Sequence, residues 1–156
     1  MSEEDQKLVE QLKNNLALLN KSQNTLMEME VYELISDLDP GPGIGKVDEI
    51  YFEALTARLA RIADIFMNKV LKFIFFINRE FPETFIDRAN LAEKLNLVTK
   101  ADEIAAIRDL RNRITHEYEE ENIYKLYRKA KRLVPELTSS IEMTNNYLES
   151  REWFLT

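Results

Sequence analysis

Between Arg108 and Tyr118 the chain sets three arginines (Arg108, Arg111 and Arg113), its single histidine, His116, and a tyrosine within eleven residues. These are side chains suited to phosphate. An imidazole titrates near pH ~6.5 in solution and can take or give a proton, and a guanidinium grips phosphate oxygens two at a time. On one uninterrupted helix Asn112 and His116 stand at i and i+4 on one side, while Arg108, Arg111, Thr115 and Tyr118 line another. Arg111 and His116, five apart, are separated by roughly 140° around the axis at ~3.6 residues per turn, so one straight helix does not aim both at one point. A two-fold pair of such helices can.

This segment is also where the chain turns electropositive. The 156 residues carry a formal net charge of −7, yet residues 108–132 hold eight basic and five acidic side chains, net +3, against −6 for residues 1–40. An acidic chain is a poor general nucleic-acid coat, so any anion binding must be local. With no cysteine and one histidine, a disulfide framework, a thiol nucleophile, a Cys-ligated zinc and a multi-histidine metal site within one chain are all ruled out. No metal and no cofactor are expected.

The elements that position the segment read as helices. All three glycines fall within 39–45, leaving the rest of the chain without the turn punctuation an all-β fold needs. The fold class expected is all-α: a single helical domain over 1–156, built as a four- to five-helix antiparallel bundle, with N-terminal helices in 1–38, a Gly/Pro loop at 39–46 and the bundle core in 47–150. Leu8, Leu12, Leu16 and Leu19 stripe a first helix near 4–20, and Asn24 or Thr25 can cap a second that runs to Pro40. Ile50, Phe52, Leu55, Leu59, Ile62, Phe66, Val70, Phe73, Ile74 and Ile77 mark one long helix from Asp48 to about Phe81, spanning about 50 Å. A helix over 87–96 follows, capped by Asp87 with Leu91 and Leu95 inward, then one starting at Thr99–Glu103 that carries Ile104, Ile107, Leu110 and Ile114 inward and reaches His116. The last begins near Asn122, and Pro135 kinks or divides it. The glycine loop lacks the Lys-Ser/Thr pair of a phosphate loop, Phe73, Phe75 and Phe76 read as helix-packing core or dimer interface, and Trp153 and Phe154 as a tail staple or partner contact. The acidic first residues are unlike a secretory leader and no window is apolar enough to span a membrane, so a cytoplasmic protein with no membrane partner is expected.

Arg111-Asn112, three residues, then His116-Glu117-Tyr118 resembles the Arg-Asn-x-x-x-His-x-Tyr signature of HEPN domains, in particular the HepT-like toxins. The resemblance covers eight residues of the chain. It implies a dimeric helical bundle acting as a metal-independent endoribonuclease, with the site in the dimer cleft, and an antitoxin partner that is a nucleotidyltransferase of the MNT type. It also implies that Arg111 and His116 are the catalytic pair, that Asn112 helps to order the site, and that Tyr118 is the residue the partner modifies by adenylylation. The acidic stretch of roughly 40 residues before the glycine loop is longer than in compact family members.

Metal-free RNA cleavage needs a group to take the 2′-hydroxyl proton, a group to protonate the leaving 5′-oxygen, and positive charge on the phosphorane. One histidine per chain supplies one proton role; a homodimer supplies two. Arg108 and Arg113, with Arg128, Lys129 and their basic neighbours on the next helix, can hold an RNA backbone without reading sequence. Plainer readings stand beside these. His116 can be a dipole partner at a helix C-terminus, Arg113 part of a solvated salt-bridge face, the run 125–132 an ordinary wet helix surface, and Tyr118 a ring packed on the bundle. A second function is a non-catalytic HEPN-like binding module that is partner or substrate of a nucleotidyltransferase.

Overall fold

The computed structural model describes residues 1–28 and 39–155. Among them the chain is all-helical, as expected: α1 (Glu3–Glu28), α2 (Lys46–Ile65), a π-helical segment (Phe66–Leu71), α3 (Lys72–Ile77), α4 (Phe85–Lys94), α5 (Ala101–Thr115), α6 (Glu120–Glu149) and the short α7 (Glu152–Leu155). One hydrophobic cluster draws on α1 through α6, from Leu12 and Leu19 through Phe52, Leu59, Phe66 and Phe75 to Ile104, Leu110, Tyr127 and Leu148. α2 packs on α1, α5 and α6, and α5 is held between α2, α4 and α6.

The first helix runs eight residues beyond the expected end near 20 and takes in Asn24 and Thr25, whose hydroxyl donates to the Lys21 carbonyl (2.9 Å) instead of capping a new helix. The remainder of the expected second helix lies outside the described residues. The long helix stops short of Phe81: Arg79 takes a positive φ of 61°, and the Glu80 N–H closes on the Phe75 carbonyl (2.8 Å), a left-handed helix end. Its middle widens into the π segment, where Asn15 of α1 donates to the Lys69 carbonyl (3.1 Å).

Several registers differ from the sequence reading. Thr84, not Asp87, caps α4; Asp87 is the third helical residue and completes a capping box. Leu95, at the helix end, is 40% exposed, and Phe85, Ala89 and Ala92 carry the buried face. Ile50 is 55% exposed because the stripe that enters the core starts at Phe52. At the start of α5 the cap comes from α4: Glu93 accepts the Ala101 N–H (3.2 Å), while Thr99 turns to Glu136 (2.8 Å) and Ser140 on α6. Pro135 does not divide α6, since Leu133, Val134, Leu137 and Ile141 seat both halves on the same core.

Two glycines of the loop have specific duties. Gly43 holds a φ of 95°, and a Cβ on buried Gly41 would meet the Arg128 guanidinium at 3.4 Å. Trp153 and Phe154 lie edge to face (6.3 Å), half-buried on the bundle with Lys13 over the Phe154 ring, as a tail staple would be.

Candidate anion-binding groove

The outward faces of α2 and α5 meet in a groove of about 610 Å³. Its shape follows from side-chain size. Leu55, Leu59 and Ile62 turn one face of α2 into the core, and Ile104, Ile107 and Leu110 do the same for α5. What remains on α2 is Ala54, Ala57 and Ala60 flanked by Arg58, Arg61 and Asp64, and on α5 Arg108, Arg111, Asn112 and Thr115. The alanines keep the floor low and the arginines stand around it.

Four guanidinium groups therefore share one groove in an acidic chain. Among the described residues none of the four has a carboxylate within ion-pairing distance. The carboxylate in the groove, Asp64, is engaged along its own helix: Asn68 donates to it (2.6 Å) and in turn accepts from Arg88 (2.7 Å). Arg108 lies over the ring of Phe85, 4.5 Å from its centroid, a cation–π contact that helps to fix the side chain.

Of the residues singled out in the sequence, Arg108, Arg111, Asn112 and Thr115 line this groove, whereas Arg113, His116, Tyr118, Arg128 and Lys129 do not. His116 is the exposed C-terminal cap of α5, its N–H donating to the Asn112 carbonyl (3.2 Å). Arg111 and His116 are thus not brought to one point within a chain. Tyr118 is 90% exposed in the turn before α6. Beside it, Glu117 accepts the N–H groups of Glu119 (2.9 Å) and Tyr118 (3.1 Å), and these bonds, the Glu119 one foremost, hold its carboxyl below the usual range; Arg113 adds a smaller contribution. Arg128 is ion-paired with Asp39 (3.3 Å), and Lys129 is half-buried on α6.

Arg58 and Arg61 were not legible as site residues. Their signal is the alternation Ala54-x-x-Ala57-Arg58-x-Ala60-Arg61, small residues and cations sharing the face opposite Leu55 and Leu59. Among the described residues no group of three or more His, Cys, Asp or Glu side chains is placed to hold a metal ion. No helix of the described residues is long and apolar enough to cross a membrane.

The groove can hold an anion with several charges spaced along it. Comparison of the chain with family models, with curated proteins and with solved structures gives no match. The functional reading accordingly rests on the groove's own chemistry and on the motif at the end of α5.

Proposed function

We propose that the chain is a metal-independent endoribonuclease of the HEPN, HepT-like kind, a cytoplasmic toxin acting as a homodimer and silenced by an MNT-type nucleotidyltransferase. The observation that carries the reading is the set of four arginines that, among the described residues, have no carboxylate within ion-pairing distance, around an alanine floor. Unpaired cations held this close repel one another unless a polyanion lies between them. An RNA backbone supplies such a charge train, and Arg111 and Asn112 sit where the groove meets the helix end that bears His116. In the proposed reaction the 2′-hydroxyl gives up its proton and attacks the adjacent phosphorus, the bond to the 5′-oxygen breaks, and that oxygen takes a proton. The products are a 2′,3′-cyclic phosphate and a free 5′-hydroxyl. Arg111 stabilises the charge on the phosphorane, and His116 serves one proton role. The second copy of His116 in the dimer serves the other.

The test is cleavage of single-stranded RNA by the wild-type protein and by His116→Ala in the presence of EDTA, followed by analysis of the ends. Cyclic phosphate ends that vanish in the variant are expected. Intact RNA with the folded wild-type protein would refute the nuclease.

The position of His116 outside the groove favours a second reading, a non-catalytic module that binds RNA or a nucleotidyltransferase. Tyr118, open to solvent, is accessible to a modifying enzyme in either case, and an added AMP would place negative charge at the end of α5 near Arg113 and oppose phosphate binding. Mass spectrometry after co-expression with such an enzyme should find the label on Tyr118; label elsewhere would rule that role out.

A further inference from the structure

A second cavity, of about 380 Å³, adjoins the groove and shares Ala57, Arg111 and Thr115 with it. Its character is different. The groove is ringed by cations, whereas the cavity has an apolar wall of Ile114, Ile123 and Tyr127 and two carboxylates, Glu53 and Glu117. A cavity of this size falls within the about 300–1,000 Å³ typical of small-ligand sites. Arg111 stands at the junction of the two.

We propose that this cavity receives the base of the nucleotide whose phosphate Arg111 holds, and that it selects guanine. The inference rests on the RNA reading above and deepens it. A backbone held along the arginines places a base to one side, and an apolar wall beside a phosphate site suits the flat face of a base turned out of a single strand. The carboxylates decide which base. An ionised carboxylate only accepts hydrogen bonds, so it pairs best with two donors side by side. On its Watson–Crick edge guanine alone offers this, through N1–H and the N2 amino group. Adenine and cytosine present one amino group next to a ring nitrogen acceptor, and uracil presents one N–H between two carbonyls that a carboxylate repels.

Glu53 is the better placed reader. One oxygen of Glu117 is taken by the main-chain N–H groups of Tyr118 and Glu119, which ties that carboxylate to the turn. Glu53 shares the cavity lining with Tyr127, whose ring is fully buried and stacked on Phe52 at 5.4 Å. A carboxylate beside so fixed a ring lines the apolar wall and keeps its acceptor sites for a ligand.

Binding of four 2′-fluoro pentanucleotides tests this. They keep an RNA-like sugar, lack the attacking hydroxyl, and differ only in a central G, A, C or U between uridines. The wild-type protein should bind the G strand at least about tenfold more tightly than the others, and Glu53→Gln, whose amide puts a donor against guanine, should bring the four within about twofold. Four equal affinities in the wild-type protein, or a G preference that survives Glu53→Gln, would overturn the guanine pocket and leave the groove standing. No binding of any strand would overturn the RNA reading itself, and the pocket with it.

Discussion

Arg128 and Arg132 on α6 and Arg108 and Arg111 on α5 belong to the same electropositive stretch of sequence, yet the fold treats them differently. Arg132 meets Glu103 with two hydrogen bonds (3.0 and 3.4 Å), and Arg128 meets Asp39 (3.3 Å). Each has found its counter-charge within the chain. Among the described residues Arg108 and Arg111 have none within ion-pairing distance; packing of α5 on α2 instead sets Arg58 and Arg61 beside them. Concentrating like charge at one place while neutralising it elsewhere costs the folded state some repulsion, and a bound polyanion removes that cost. A basic run in sequence is therefore a weaker guide to an anion site than the set of cations the fold leaves unpaired.

The comparison breaks most visibly with paired substitutions. Arg108→Ala/Arg111→Ala removes two charge-assisted contacts of about 1.5–3 kcal/mol each and should weaken single-stranded RNA binding by about 100-fold or more in fluorescence anisotropy. Arg128→Ala, losing an exposed pair, should change the same affinity by no more than about twofold. Equal losses in the two would mean that charge anywhere on the surface suffices. Ala57→Leu sharpens the point without altering charge: it raises the floor between the arginines and should cost about tenfold in affinity, with a thermal midpoint close to wild type.

The smallest expected effect lies on the paired side. The hydrogen bond from Arg132 holds the Glu103 carboxyl below its ordinary value of 4.5. A depressed folded value stabilises the protein above the unfolded value and loses that contribution as pH falls through the folded one. Glu103→Gln should thus lower stability near neutral pH by no more than about 1 kcal/mol, and the gap to wild type should close in acid, as read from thermal melts across pH. A gap that widens in acid would show that the pair is not what links Glu103 to stability.

The helical class and most of the core were legible in the sequence because leucine, isoleucine and phenylalanine recur at helical spacing over long segments: Leu12, Leu19, Leu55, Leu59, Ile62, Ile104, Ile107 and Leu110 are all buried. Helix ends were less legible. Ile50 sits two residues before the stripe that enters the core, Leu95 sits at a helix end, and neither position differs in hydropathy from its buried neighbours. The cap of α5 could not be found locally at all, since the carboxylate that makes it, Glu93, belongs to the preceding helix.

Half of the groove was legible. Arg108, Arg111 and Asn112 stand within a single turn and a half of helix and announce themselves by type. Arg58 and Arg61 are some fifty residues away, in a stretch (41–107) whose charges nearly cancel, and only the contact of α2 with α5 makes them part of the same surface. Pairing was equally hidden: nothing in the local sequence of Arg128 names Asp39 as its partner. His116 and Tyr118 were read from spacing, and the geometry of one chain leaves both outside the groove.

The central claim is that the four groove arginines grip an RNA backbone, and its most direct test is the salt dependence of single-stranded RNA affinity. Each phosphate neutralised on a single strand contributes about −0.7 to the slope of log K against log salt, so four contacts predict a slope near −3 for the wild-type protein. Replacing Arg58, Arg61, Arg108 and Arg111 together with alanine should flatten that slope toward zero. A wild-type slope near zero, or a steep slope that the fourfold variant retains, would contradict the account.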